Sequence, residues 1–171
     1  MRVVEPPAPE KIEQILEQVK REIGLALSSK QEAAVYAAYR HNLSIITGSP
    51  GTGKTTVLKT ILEVYRRLHP QGEIALMAPT GRASRRMAES TGVDKAKTLH
   101  SILGLASEED EIKRNNTQEP LSADLIIVDE FSMVDMWLAN KFFSRIKGGA
   151  RVILVGDPDQ LPSVGAGNVF R

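Results

Sequence analysis

Gly48-Ser49-Pro50-Gly51-Thr52-Gly53-Lys54-Thr55 matches the phosphate-binding loop pattern in full. Its glycines let the backbone turn so that successive N–H groups point at phosphate oxygens. Lys54 is spaced to reach the β- and γ-phosphates of a nucleotide, and the Thr55 hydroxyl to ligate Mg²⁺. Thr56 continues the same block. The helix expected to follow turns its positive end toward the same anion. Chance produces the pattern in under ~1% of chains this long, so a ligand-free glycine turn is the weaker reading.

A second acidic signature follows an apolar run, Leu125-Ile126-Ile127-Val128-Asp129-Glu130. Asp129 suits holding Mg²⁺ through its water shell, and Glu130 suits taking a proton from the water that attacks the γ-phosphate. Two acids after a strand also stabilise a helix N-terminus, and the phosphate loop decides between these readings. Gln160, within Val155-Gly156-Asp157-Pro158-Asp159-Gln160, carries a neutral amide able to sense the γ-phosphate or orient water. Turn chemistry alone would make the same stretch a proline-shaped turn. Pro79, Thr80 and Arg82, and then Thr98 and His100, supply the hydroxyls, helix-start N–H groups and positive charge that a nucleic-acid backbone requires. Each segment by itself could be an ordinary cap. His41 and His69 give His100 no metal-ligand spacing. Trp137, Phe142 and Phe143 read as core anchors.

These residues need a scaffold that brings them to one edge. Ile12, Ile15, Leu16, Val19 and Ile23 recur at helical spacing, which predicts an amphipathic helix over 8–23 outside the main core. A second helix is expected from a Ser29 cap, with Glu32 completing a capping box, to about Arg40. Then 43–47 reads as a buried strand, 54–68 as a helix, 73–78 as a strand, and the stretch after Gly81 as a helix. Residues 125–128 form a third strand, 134–146 a helix and 151–155 a fourth strand. Short apolar runs separated by helices predict an α/β fold with a parallel sheet covered on both faces. Ligands bind such sheets beyond the strands' carboxyl ends, where every polar cluster named above begins.

The chain has 171 residues, 25% charged and 42% hydrophobic, which suits one globular domain and excludes disordered, collagen-like and coiled-coil classes. No apolar run approaches a membrane span, and no signal-peptide core opens the chain. The absence of cysteine rules out disulfides and thiolate metal sites and fits a cytoplasmic protein. The net charge of +1 is uninformative, but Arg82, Arg85, Arg86, Lys95 and Lys97 concentrate positive charge before the acidic run 108–111. A solvated helix face would show the same composition.

The order of these blocks resembles the superfamily 1 helicases, and within them the RecD-like group of exodeoxyribonuclease V alpha type. The resemblance runs from about Leu27 to Gly167. Gln31 falls on the family's adenine-reading glutamine, 48–56 on motif I, Pro79, Thr80 and Arg82 on motif Ia, and Thr98 with His100 on the Thr-Leu-His block. Asp129–Met133 falls on motif II and 156–167 on motif III. The resemblance implies a P-loop NTPase of RecA-like fold that uses ATP and Mg²⁺ to move 5′→3′ on single-stranded DNA. It divides the chain into an N-terminal helical segment (1–27) and a first RecA-like domain (28–171). It also implies a second RecA-like domain, helicase–nuclease partner subunits in some members, and a strand-splitting pin. The segment 108–122 occupies the pin's position, as either a hairpin over 112–118 or a plain loop. Conjugative relaxases carry a similar block. A nucleotide-binding switch without translocation would keep motifs I and II but has no use for motifs Ia and III.

Overall fold

The computed structural model describes residues 7–24, 26–48, 53–93, 95–104 and 120–156. Helix α1 (Pro9–Ile23) ends at Gly24, whose φ of 72° is a left-handed cap that glycine adopts without strain. Helix α2 (Ser29–Arg40) precedes strand β1 (Leu43–Thr47), helix α3 (Lys54–Leu68), strand β2 (Ile74–Ala78) and helix α4 (Gly81–Thr91). Strand β3 (Ala96–Thr98) and helix α5 (Leu99–Leu103) come next. Strand β4 (Leu125–Val128), a 3₁₀ turn (Phe131–Met133), helix α6 (Met136–Ser144) and strand β5 (Arg151–Gly156) complete the described order.

The five strands form one parallel sheet in the order β1-β5-β4-β2-β3. β4 and β5 lie inside it and are buried at every residue, which is why Leu125–Val128 and residues 152–155 read as unbroken apolar runs. Each large side chain so buried stabilises the fold by about 1.5–3 kcal/mol. Alternate residues face opposite layers. Leu125, Ile127, Ile153 and Val155 join Leu76 under α1, α2, α3 and α4. Ile126, Val128, Val152 and Leu154 join Met77 under α5, the 3₁₀ turn and α6.

The expected α/β, RecA-like sheet with helices on both faces is present, with four local corrections. β3 is a fifth strand where the sequence suggested only the start of a short helix; three residues are too few to show a period. Among the described residues β1 is an edge strand paired only with β5, so Leu43 and Ile45 stay about half exposed while Ser44 and Ile46 are buried. The α2 box starts one residue earlier than expected. Ser28 caps the helix, Ser28 Oγ accepts from Gln31 N, and Gln31 Oε1 accepts from Ser28 N. Finally, α1 is docked: Ile12, Leu16 and Val19 enter the same apolar cluster as α3.

Arg151 opens β5 and locks α2 in place. Its Nη1 donates to the Ala38 and His41 carbonyls at 2.6 and 2.7 Å, and its guanidinium lies over the Tyr39 ring. A cation at a helix C-terminus meets the carbonyl end of the dipole. Burial pushes the Arg151 pKa below the ordinary arginine value, with the nearby tyrosines opposing that shift.

Candidate functional site

Gly48 follows β1 directly, and its N–H donates to the Gly156 carbonyl at 3.3 Å. The mouth of the phosphate loop is thereby tied to the end of β5. Gly53 closes the loop as the N-cap of α3 with φ of 83°, in the left-handed region that side chains rarely adopt. A second constraint acts there, since a Cβ on Gly53 would lie 2.3 Å from Gln31 Nε2. Lys54 and Thr55 form the first turn of α3, where backbone N–H groups have no helical partner. Ser49, Pro50, Gly51 and Thr52 lie outside the described residues.

The Gln31 side chain is engaged at both ends. Its Oε1 belongs to the α2 capping box, and its Nε2 donates to the Gly53 carbonyl at 3.4 Å. This joins the start of α2 to the end of the phosphate loop.

Asp129 and Glu130 leave the carboxyl end of β4. Asp129 N donates to the Met77 carbonyl at 2.9 Å, and Asp129 Oδ1 accepts from Glu130 N at 2.8 Å. Among the described residues Glu130 is the only non-glycine with positive φ, at 51°. A strained backbone of this kind costs on the order of 1–3 kcal/mol and concentrates at functional positions. Thr55, Asp129 and Glu130 line one open cavity of about 500 Å³, together with Ala83, Arg86, Met87, Glu89 and Ser90 of α4. Among the described residues no three His, Asp or Glu side chains are grouped to hold a metal alone. One hydroxyl and one carboxylate instead fit Mg²⁺, which keeps several waters and takes phosphate oxygens.

The second group of predicted residues sits on the neighbouring strand ends. Pro79 and Thr80 follow β2 and Thr98 ends β3, with Ala78 paired to Thr98 across the ladder. Both threonines are helix caps: Thr80 Oγ1 accepts from Ala83 N and Thr98 Oγ1 from Ser101 N, each at 3.1 Å. Each hydroxyl hydrogen remains available to a phosphate oxygen, because a hydroxyl accepts and donates at once. Arg82 and His100 are exposed on the first turns of the two helices. The two segments thus meet at one sheet edge, beside the cavity.

A family model described as an AAA domain matches residues 31–166. The chain belongs to that family. This AAA domain is 43% identical over 141 residues to the ATP-dependent RecD2 DNA helicase of Deinococcus radiodurans, covering 82% of the chain and 19% of the relative. It is 39% identical over 161 residues to the RecBCD enzyme subunit RecD of Haemophilus influenzae, covering 82% of the chain and 25% of that relative. The Bacteroides Pif1 helicase solved with ADP-AlF3 and single-stranded DNA superposes with a TM-score of 0.53 at 25% identity, covering 82% of the chain and 34% of that protein. The RecD-like, superfamily 1 resemblance read from the motifs is therefore correct.

Within this AAA domain several readings meet a different outcome. Gln160 and nearly all of 108–122, including 112–118, lie outside the described residues. Trp137 and Phe143 are not core anchors. Leu138, Ala139 and Phe142 turn α6 toward the sheet, leaving Trp137 and Phe143 outward at 47% and 39% exposure. Phe142 is fully buried as expected. Arg86, grouped with the basic stretch by composition, lines the cavity of Thr55, Asp129 and Glu130 instead. Its helical spacing from Ala83 could have signalled a shared face, but not which site that face meets.

Proposed function

We propose that residues 28–171 are the first RecA-like domain of a cytoplasmic, 5′→3′ DNA helicase that couples ATP hydrolysis to movement on single-stranded DNA. Residues 1–27 are its N-terminal helical segment. The convergence of Thr55, Asp129 and Glu130 on one cavity, beside the Thr80 and Thr98 edge, carries this reading. The chain spans about a fifth to a quarter of the length of the two curated relatives described above, so a second RecA-like domain and any helicase–nuclease subunits belong to the same proposal. No helix among the described residues is long and apolar enough to cross a membrane.

In this mechanism the backbone of 48–53 and Lys54 bind the triphosphate, with Ser49, Pro50, Gly51, Thr52 and Thr56 completing the loop. Gln31 meets the adenine side. Thr55 and Asp129 would hold Mg²⁺, which would supply positive charge to the bound phosphates. Glu130 accepts the proton of the attacking water, and Gln160 orients that water. Pro79, Thr80, Arg82, Thr98 and His100 contact the DNA backbone.

Two measurements test the separate halves. Calorimetry should show weak binding of Mg·ATP by the wild-type chain, with Lys54→Ala losing the preference for triphosphate. Equal ATP affinity in both would refute the phosphate-loop assignment. Single-stranded DNA should bind without sequence preference and weaken steeply with salt. Arg82→Ala should weaken it uniformly and reduce the salt slope by about one. No DNA binding at all would favour the nucleotide switch over the motor.

A further inference from the structure

Helix α4 serves two places at once. Its cap, Thr80, and its first-turn Arg82 belong to the strand-end edge assigned to DNA. Ala83, Arg86, Met87 and Ser90 recur at three- and four-residue spacing and form one side of the cavity that Thr55, Asp129 and Glu130 line from α3 and β4. Ala83 and Met87 are buried and fix the rotation of the helix. Arg86 is thus carried to the boundary of the cavity, about 6 Å along the axis from Arg82.

The charges facing that cavity are unbalanced. Asp129 and Glu130 enter from β4 and Glu89 from α4, while Arg86 is the single cation among the lining residues. Among the described residues Arg86 makes no salt bridge, in contrast to Arg66 and Arg67 on the neighbouring helix, which pair with acids. An arginine left free beside two acids and a candidate metal-ligating hydroxyl suits developing phosphate charge or the orientation of a carboxylate.

We propose that Arg86 is a positioning residue of the ATP site rather than a DNA contact, and that α4 links the two sites by carrying Arg82 on DNA and Arg86 beside Glu130. The assignment rests on the motor reading above. DNA held at Thr80 and Arg82 loads the first turn of a helix whose rotation is already set by packing, and so steadies the next turn, where Arg86 lines the cavity with Asp129 and Glu130. Hydrolysis is then faster with DNA bound, without any movement of the sheet.

The test is steady-state ATP hydrolysis by the full helicase polypeptide, with and without oligo(dT), alongside oligo(dT) binding across a salt series. Arg86→Ala should lower DNA-stimulated kcat and kcat/KM together, by on the order of 10²-fold. The salt slope of DNA binding should stay at the wild-type value, whereas Arg82→Ala reduces it. Arg86→Lys keeps a positive charge and should recover part of the lost kcat. Both replacements suit an exposed helix position, and unchanged thermal melting would confirm a folded enzyme. Wild-type kcat in Arg86→Ala with a salt slope lowered by about one would make Arg86 a DNA contact and overturn the assignment. A kcat loss that tracks lost folded protein, with no recovery in Arg86→Lys, would overturn it equally. A wild-type polypeptide without DNA-stimulated hydrolysis would instead overturn the motor reading itself.

Discussion

Glu130→Gln in the full motor polypeptide is expected to lower ATP turnover by about 10²–10⁴ while leaving ATP affinity near the wild-type value. The substitution preserves volume and the backbone, including the N–H that Glu130 donates to Asp129 Oδ1. What it removes is the ability to accept a proton from water. The cost of holding a non-glycine residue at φ of 51° remains, because an amide at this position is as constrained as a carboxylate. The loss should therefore appear in the chemical step and not in thermal stability. Single-turnover hydrolysis measured beside calorimetric ATP binding separates the two. A rate within about threefold of wild type would remove Glu130 from the role of base.

The chain of 171 residues, assayed alone, is expected to turn over ATP far more slowly than one per second, the low end of ordinary enzyme rates. Phosphoryl transfer spreads negative charge over the γ-oxygens, and its catalysis is mostly positioned positive charge. In the proposed mechanism Lys54 and a bound Mg²⁺ would answer that charge from one side, and Arg86 stands at the α4 wall of the cavity. Arginines delivered across a cleft are worth roughly 10³–10⁵ in rate in comparable NTPases. In the proposal they come from the second RecA-like domain, within the part of the relatives that this chain does not span. Supplying that continuation should restore DNA-stimulated turnover. A turnover above about one per second by the chain alone would place the completing arginine within these residues, with Arg86 the first candidate.

Much of the candidate nucleotide site is legible in the sequence because the chemistry proposed for it is local. Eight adjacent residues from Gly48 to Thr55 hold the glycines, the lysine and the hydroxyl of the motif, and the bounds of α3 at Lys54 and Leu68 follow from periodicity. Asp129 and Glu130 announce themselves by ending an apolar run that only a strand buried on both faces would have. The caps at Thr80 and Thr98 are equally local, each closing on an N–H three residues later.

Other features depend on neighbours that sequence spacing does not name. Strand order made β1 an edge, so Leu43 and Ile45 are half exposed although the run reads as buried. β3 exists because Ala96–Thr98 finds β2 to pair with, not because three residues prefer to be extended. Trp137 and Phe142 look alike as aromatic residues of one helix, yet packing against the sheet turns only Phe142 inward. Arg82, Arg85 and Arg86 are one basic cluster in the sequence. The burial of Ala83 and Met87 sets the rotation of α4, and that rotation sends Arg86 to the cavity of Asp129 and Glu130. Spacing along a helix determines which residues share a face; only the packing of that helix decides what the face meets.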